Sequence, residues 1–560
     1  MRIFLAQQNY HIGNFQSNTE KIIAAIESAK KQGGDLVVFS ELCVCGYPPR
    51  DFLEFDDFIN KCYSAIDTIK QYADTIGVII GAPDRNTNHH GKRLLNAAYF
   101  LYEKNIQSVV HKTCLPTYDV FDEYRYFEPA YEWNVIEFKG KKLAVTICED
   151  IWTLGNNPLY RICPMDKLIQ QHPDVMINLS ASPFDYTHIE ERNAVVKSNV
   201  SKYKLPMFYC NAVGSQTEIV FDGASLVFDK QGNLCGQLPM FEEALQGFEL
   251  KDDGTIAAPV IREVSLLSDT AVEQMQLEEA LNIDQVHDAI VMGIRDYFSK
   301  MGFTKAILGS SGGIDSAVTL VLACTALGKE NVRAILMPSK FSTDHSIDDA
   351  KKLSLTLGNP FDIIPIKNIY ETFLTELAPI FNNLPFNIAE ENIQSRSRGN
   401  LLMAIANKFG YILLNTSNKS ELATGYGTLY GDMAGGIAVL GDCYKMQVYA
   451  LANYINRNKE IIPVNIITKE PSAELRPDQK DIDSLPDYAF LDKILFQYIE
   501  RRQGPNDIKA QGFDAALVDR VLKMVNLNEY KRNQFCPIIR ISPKAFGVGR
   551  RVPIVGKYLS

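Results

Sequence analysis

A glycine- and serine-rich loop in the second half of the chain joins an apolar run to an apolar helical segment. The loop spans residues 309–316 in the order Gly-Ser-Ser-Gly-Gly-Ile-Asp-Ser. It follows a predicted strand at residues 305–308 and leads into a predicted helix at residues 315–327. Adjacent glycines let backbone N–H groups approach an anion, and a helix start adds the positive end of its dipole. The pattern predicts a phosphate-binding loop between a strand and a helix of a parallel sheet.

Strands and helices alternate on both sides of this loop. Further helices are predicted at residues 284–301 and 343–357, and further strands at residues 332–337 and 362–365. This alternation is typical of a doubly wound parallel sheet, so we expect a nucleotide-binding α/β domain. The loop lacks the lysine of a Gly-x4-Gly-Lys-Ser/Thr motif, and Asp315 stands where a Mg²⁺ ligand would be useful.

The first half of the chain has a different pattern. Short apolar runs with strand character follow one another up to about residue 229, with a helical pattern at residues 17–32. A stretch with weak periodicity and many acidic residues then separates the halves. A length of 560 residues allows three to five ordinary domains or two large ones. We predict two domains, at residues 1–250 and 284–560, joined by a linker at residues 251–283.

The charge balance and the cysteines restrict the partners and the compartment. The 57 Lys and Arg residues against 67 Asp and Glu give a net charge of −10, which argues against a nucleic-acid polymer as partner. Eleven cysteines without regular spacing suit buried thiols in a reducing compartment. The first residues lack the basic and apolar regions of a signal peptide. The longest apolar run, residues 317–327, is well short of the ~20 residues that span a bilayer. We expect a cytoplasmic protein without a membrane partner.

Three ionisable residues of the first half each come just after an apolar run. They are Glu41, Lys112 and Cys148. Since the runs read as strands, the three side chains could converge at one rim of a sheet. A lone cysteine is more often a buried structural thiol, but a carboxylate and a cation beside it suit nucleophilic catalysis. Cys43 and Cys45 resemble half of a metal site, but no second pair completes it, so we expect packing residues.

Residues 1–250 resemble the nitrilase/amidase family, chiefly in the runs at residues 40–51, 111–127 and 146–152. The resemblance implies an αββα sandwich in which Glu41 is the general base, Lys112 stabilises the oxyanion and Cys148 attacks an amide. Glu123 matches the auxiliary glutamate of the family. We expect the charge of Lys112 to lower the pKa of Cys148. Three further residues match positions that hold glutamine in the glutaminase members: Tyr118, Ser182 and His188.

The loop and four later runs resemble the NAD synthetase family of N-type ATP pyrophosphatases, whose domain is adenine nucleotide alpha hydrolase-like. The runs are residues 392–398, 415–421, 425–432 and 529–532. The resemblance assigns Mg²⁺ to Asp315 and Glu421, and deamido-NAD to Asn392, Arg396, Glu421 and Lys531. It assigns ATP to ten residues: Gly309, Ser310, Ser311, Gly312, Gly313, Ile314, Asp315, Ser316, Thr416 and Lys445.

The two halves together resemble the glutamine-dependent NAD synthetases over nearly the whole chain, including the closing run at residues 542–554. The resemblance implies that the first half releases ammonia from L-glutamine and that the second half uses it to amidate an adenylated deamido-NAD. It also implies a homo-oligomer. One alternative is another ATP-pyrophosphatase amidotransferase, of the GMP or asparagine synthetase kind, although the latter needs Cys where this chain has Arg2. The other is a non-catalytic nucleotide-binding fusion.

Overall fold

A computed structural model describes residues 1–88, 90–154, 159–257, 276–477 and 479–559. The chain divides into two compact units, Met1–Glu273 and Gln274–Ser560. Most of the predicted linker, residues 258–275, lies outside the described residues. Within the described part, no helix is long and apolar enough to cross a membrane.

The first unit is built on two sheets and one separate hairpin. The first sheet has the strand order β15-β14-β1-β2-β3-β4-β5, the second has β13-β12-β9-β8-β7-β6, and β10 and β11 form the hairpin. In chain order the strands are β1 (Arg2–Gln7), β2 (Leu36–Phe39), β3 (Gly77–Arg85), β4 (Leu94–Tyr102), β5 (Asn105–His111), β6 (Ile136–Phe138), β7 (Lys141–Ile147), β8 (Val175–Ser180), β9 (Met207–Asn211), β10 (Val213–Gln216), β11 (Ile219–Asp222), β12 (Leu226–Phe228), β13 (Leu234–Gln237), β14 (Ala244–Leu250) and β15 (Ile256–Ala257).

Helices cover the outer faces of both sheets. Because side chains alternate along a strand, Ile3 and Leu5 of β1 enter the core between the sheets, whereas Phe4 and Ala6 pack on the outer side. The helices that carry these outer layers are α1 (Phe15–Lys31) and α2 (Asp56–Ile69) on the first sheet, and α4 (Pro164–Leu168) and α5 (His188–Tyr203) on the second. A short helix α3 spans Glu123–Tyr126. The αββα sandwich is confirmed.

Two strands of the first sheet were not recognisable from their residues. β14 pairs antiparallel with β1, opposing Glu249 to Arg2, and β15 extends the same edge. Five of the seven β14 side chains are half-buried or exposed. Strands at or next to a sheet edge that bury little apolar surface have a weak hydrophobic pattern, so sequence periodicity does not detect them.

The second unit contains one parallel sheet of five strands. Their order is β18-β17-β16-β19-β20, and every described pairing is parallel. The strands are β16 (Ala306–Gly309), β17 (Val332–Leu336), β18 (Phe361–Ile363), β19 (Ile412–Asn415) and β20 (Ile437–Ala438). The predicted doubly wound sheet is confirmed, with its first helices and strands placed to within two residues. The order of strands reverses between β16 and β19, which opens a crevice at their carboxyl ends.

Helices flank this sheet and form most of the remaining chain. They are α6 (Ile283–Met301), α7 (Ile314–Leu327), α8 (Asp344–Leu357), α9 (Lys367–Phe381), α10 (Ile388–Phe409), α11 (Lys419–Thr424), α12 (Lys445–Ile455), α13 (Val464–Thr468), α14 (Tyr488–Ile499), α15 (Pro505–Ala510), α16 (Ala515–Leu527) and α17 (Glu529–Arg532). The sequence alone predicted no helix after residue 365, where α9 to α17 lie. α14 and α16 pack together through apolar side chains such as Leu495 and Val521.

Candidate active sites

The predicted catalytic residues of the first unit follow three strand ends. Glu41 comes two residues after β2, Lys112 directly after β5, and Cys148 directly after β7. The structure brings the carboxylate and the ammonium together, with Lys112 Nζ 2.7 Å from Glu41 Oε1. All three residues are buried.

Glu123 completes a buried cluster around the lysine. Lys112 Nζ donates to both Glu123 carboxylate oxygens at 2.8 Å. Two residues that we had not predicted hold the carboxylates: Asn96 donates to Glu41 Oε1 at 2.7 Å, and the Tyr47 hydroxyl donates to Glu123 Oε1 at 2.8 Å. Asn96 had a detectable signal, since it is a polar residue inside an apolar strand, β4.

The charged groups of this cluster shift one another's pKa values. Burial opposes the ammonium form of Lys112, but the carboxylates of Glu123 and Glu41 outweigh it and hold its pKa well above the usual value. Burial, together with the charge of Glu41, raises the pKa of Glu123 to about 7 even though Lys112 opposes the shift. Glu123 therefore titrates near neutrality.

Cys148 sits at a tight turn held by Asp150. Its φ of 42° lies in the left-handed region, and it begins a short 3₁₀ helix, Cys148–Ile151. The Asp150 carboxylate accepts N–H groups from Ile147 at 3.0 Å and from Thr113 at 3.0 Å. Asp150 thus ties the cysteine turn to the residue that follows Lys112, a connection that the sequence did not suggest.

The pKa of Cys148 corrects one expectation. Burial raises it well above the usual thiol value, the carboxylate of Glu41 adds to the rise, and the charge of Lys112 only partly offsets both. The charge of Lys112 acts in the expected direction, but it does not make the thiolate available near neutral pH, because desolvation of the thiolate outweighs one nearby cation. The resting thiol therefore keeps its proton.

The three predicted glutamine-binding residues border the cysteine turn. Ser182 Oγ shares a 2.8 Å hydrogen bond with His188 Nε2. The His188 ring stacks on the Trp152 ring, with 5.1 Å between the ring centroids. The Tyr118 hydroxyl donates to Glu149 at 2.9 Å. Trp152 and Glu149 were not predicted, although both follow Cys148 closely in sequence. Burial raises the pKa of Glu149.

The second unit has a cleft of about 320 Å³ at the carboxyl ends of its strands. The residues that were predicted to bind ATP line it, with one exception: Gly309, Ser310, Ser311, Gly313, Ile314, Asp315, Ser316, Thr416 and Lys445. The exception, Gly312, has a φ of 80° and packs against Ser346, where a Cβ would lie 2.1 Å from the carbonyl oxygen. Only glycine fits this position, so Gly312 shapes the loop rather than lining the cleft.

Two carboxylates face each other in this cleft. Asp315 accepts a hydrogen bond from Asn418 Nδ2 at 2.9 Å, and Lys445 Nζ lies 2.5 Å from Asp315 Oδ2. Burial and the charge of Asp315 raise the pKa of Glu421 well above its usual value. Carboxylate oxygens are suitable ligands for Mg²⁺, and a cation would relieve the repulsion within this pair. Among the described residues no group of three His, Cys, Asp or Glu is placed to hold a metal ion.

Asn392, Arg396 and Lys531 surround one loop, residues 425–432. Asn392 Oδ1 accepts from the Thr428 hydroxyl at 2.7 Å, and Arg396 Nε donates to a loop carbonyl at 3.2 Å. Lys531 Nζ donates to the carbonyls of Gly425 and Gly427 at 2.7 and 2.9 Å. None of the three is among the residues that line the cleft. Their contact with deamido-NAD stays a prediction.

Arg398 is a cleft residue that we had not predicted. It lies two positions after Arg396, and its Nε donates to the Met337 carbonyl at 3.0 Å, beside the end of β17. Burial lowers its pKa to about 10. Both arginines belong to the same sequence run, and only the fold shows which one enters the cleft.

Both units match known families. Residues 2–257 match the carbon-nitrogen hydrolase model, and residues 286–535 match the NAD synthase model. A glutamine-dependent NAD(+) synthetase from Synechocystis sp. is 42% identical, over 99% of this chain and 98% of that protein. This chain belongs to the glutamine-dependent NAD(+) synthetase family. The glutamine-dependent NAD(+) synthetase of Thermotoga maritima is 39% identical, over 100% of this chain and 99% of its own length.

Solved structures of glutamine-dependent NAD(+) synthetases agree with this assignment. The Acinetobacter baumannii enzyme, solved in complex with ADP, is 38% identical with a TM-score of 0.77, over 99% of this chain and 98% of that one. The Cytophaga hutchinsonii enzyme is 19% identical with a TM-score of 0.82, over 100% of this chain and 98% of that one, and so shows the same fold. Family membership decides against an amidotransferase of the GMP or asparagine synthetase kind.

Proposed function

We propose that this chain converts deamido-NAD⁺, ATP, L-glutamine and water into NAD⁺, AMP, diphosphate and L-glutamate. One observation carries the proposal: a single chain holds both a buried Glu41, Lys112 and Cys148 cluster and a nucleotide-type cleft around residues 309–316. The ADP in the Acinetobacter baumannii relative supports an adenine nucleotide as the ligand of that cleft.

In the first unit Glu41 removes the thiol proton of Cys148, and Sγ attacks the side-chain amide carbon of glutamine. The ammonium group of Lys112 stabilises the oxyanion that forms. As the intermediate collapses, Glu41 returns the proton to the departing nitrogen, so that ammonia leaves and a thioester remains. Glu41 then activates a water molecule, which hydrolyses the thioester to glutamate and restores the thiol.

In the second unit a carboxylate oxygen of the nicotinate group attacks the α-phosphorus of ATP, and diphosphate leaves. Ammonia from the first unit then attacks the acyl carbon of the adenylate, and AMP leaves. Loop N–H groups at residues 309–316 and the ammonium of Lys445 stabilise the negative charge on the phosphates. Mg²⁺ held by Asp315 and Glu421 would neutralise part of that charge.

The compartment and the partners of the protein are also part of the proposal. We place the chain in the cytoplasm because its eleven cysteines are free thiols, eight of them buried. Its partners are small molecules, and neither a nucleic-acid polymer nor a membrane is needed. Assembly into a homo-oligomer stays a prediction from the family resemblance.

The two-site proposal is tested by changing the nitrogen donor. The full chain receives ATP, Mg²⁺ and deamido-NAD with either glutamine or ammonium, and NAD formation is measured. We expect Cys148→Ala to lose the glutamine-driven reaction and to keep the ammonium-driven one. Cys235→Ala, a change to another buried thiol of the same core, should keep both. Equal loss of both reactions in Cys148→Ala would contradict two separate sites, and no NAD from either donor in the intact chain would overturn the proposed function.

A further inference from the structure

A buried ion pair lies one helical turn from His188. Arg192 follows His188 by four residues on α5, so both side chains project from the same face of the helix. The Arg192 guanidinium donates to both carboxylate oxygens of Asp222, from Nη1 at 2.9 Å and from Nη2 at 2.5 Å. Arg192 is 1% exposed and Asp222 is 0% exposed. This bidentate pair fixes the second turn of α5 against the end of β11.

The Asn211 side chain holds the backbone of Ser182 in place. Its Oδ1 accepts the Ser182 N–H at 2.8 Å, and its Nδ2 donates to the Ser182 carbonyl at 3.2 Å. The same amide nitrogen donates to the carbonyl of Gly223, the residue after Asp222, at 2.9 Å. Ser182 is therefore anchored to the strand end that also holds Arg192.

The contacts close into a ring. Ser182 bonds to His188, the helix connects His188 to Arg192, Arg192 pairs with Asp222, and Asn211 links the following residue back to Ser182. A buried ion pair adds little net stability, because desolvation offsets its attraction, whereas its geometry is highly specific. The ring is thus better suited to setting the positions of two side chains than to stabilising the unit.

We propose that Arg192, Asp222 and Asn211 are positioning residues that hold Ser182 and His188 for the charged end of glutamine. This proposal rests on the proposed glutaminase function of the first unit. Ser182 and His188 then recognise the α-amino acid group, while Glu41, Lys112 and Cys148 act on the amide. The ring controls affinity for glutamine and leaves the reactivity of the thiol unchanged.

The test uses the full chain and separates recognition from chemistry. In Arg192→Met combined with Asp222→Asn, which removes both charges together, the KM for glutamine should rise about tenfold or more, since hydrogen bonds to charged groups are lost or misplaced. The kcat of glutamate release, the rate at which iodoacetamide alkylates Cys148 and ammonium-driven NAD formation should stay within about twofold. Arg192→Lys keeps the positive charge but cannot donate two parallel hydrogen bonds to Asp222, so it should give an intermediate KM.

The matched control is Lys30→Met, which breaks another ion pair of the same unit, formed with Glu27 and Asp74. It should leave the KM for glutamine unchanged. An unchanged KM in the double variant would overturn the proposal. A fall in kcat and in the alkylation rate as large as the change in KM would also overturn it, since the ring would then position Cys148 as well as Ser182 and His188. If the unaltered chain releases no ammonia from glutamine, the proposed function itself fails.

Discussion

Lys445 lies between the two carboxylates of the nucleotide cleft, with Nζ 2.5 Å from Asp315 Oδ2 and 4.0 Å from Glu421 Oε1. Burial opposes its charge, but the two carboxylates outweigh burial and raise the pKa of Lys445 above its usual value. The lysine therefore stays charged at neutral pH. It keeps two acidic groups close together at the place where the phosphates of ATP are expected.

Replacing Lys445 should slow NAD formation in the second unit and leave glutamate release by the first unit unchanged. In Lys445→Gln we expect ammonium-driven NAD formation to fall about 100-fold or more, because a buried charge that stabilises phosphate oxygens is lost. Lys445→Arg should recover part of the rate. Glutamate release by the first unit serves as the internal control and should not change. A Lys445→Gln variant that keeps most of its ammonium-driven rate would show that Lys445 does not act on the phosphates.

The pKa of Glu123, about 7, predicts the pH dependence of the glutaminase. Below this pH Glu123 is protonated, so Glu41 alone balances the charge of Lys112. Above it, ionised Glu123 also binds the ammonium group, which leaves the Glu41 carboxylate more available to accept the proton of Cys148. Glutamate release should therefore rise as the pH increases through about 7, and in Glu123→Gln this rise should disappear.

Tyr47→Phe provides an independent check of this assignment. The Tyr47 hydroxyl donates to Glu123 and thereby favours its ionised form. Without that donor the pKa of Glu123 increases, so the rise in glutamate release should move to higher pH. A shift to lower pH, or an unchanged profile in both variants, would mean that another group controls the titration.

Gly312→Ala tests whether the shape of the loop matters. A Cβ at this position would lie 2.1 Å from the Ser346 carbonyl oxygen, so the loop must move. Displacement of the loop amides should lower kcat/KM for ATP about 100-fold. Gly410→Ala is the matched control, since Gly410 also has a positive φ, 69°, but a Cβ there meets nothing within 4 Å. It should cost about 1 kcal/mol of stability and leave ATP kinetics unchanged.

Sequence patterns predicted the candidate catalytic residues of the first unit but not the residues that surround them. Glu41, Lys112 and Cys148 were detectable because ionisable residues after apolar runs are unusual, and the family resemblance supplied their roles. Asn96 and Asp150 escaped notice because their partners are distant in sequence and come together only in the folded unit. The pKa of Cys148 could not be predicted either, since its direction depends on how completely the thiol is buried.

In the second unit, too, the sequence predicted strands and motifs but not the contacts of individual side chains. The strands of the parallel sheet and the loop at residues 309–316 were predictable because buried parallel strands are continuously apolar. Lys531 matched a family motif, yet its Nζ binds the carbonyls of Gly425 and Gly427. Burial lowers the pKa of Lys531, whose Nζ projects from α17 into the loop at residues 425–432. Which partner a motif residue meets is decided by tertiary packing.

Lys419 shows how strongly one motif residue can depend on such packing. Its Nζ lies 2.9 Å from Asp442 and 2.6 Å from Glu500, and it also donates to Ser542 Oγ at 2.8 Å. Lys419 and Asp442 are fully buried. The lysine therefore joins the start of α11 to the closing segment of the chain.

Lys419→Met should accordingly be severely destabilising, because it leaves two buried carboxylates without their cation. Removing one partner from a buried pair typically costs about 3–5 kcal/mol. The control is Lys352→Met, since the Lys352 and Glu460 side chains are 62% and 48% exposed, and exposed pairs contribute at most about 1 kcal/mol. Urea unfolding of the second unit, followed by its tyrosine fluorescence, measures both. If the two variants unfold at the same urea concentration, the Lys419 cluster does not hold the closing segment in place.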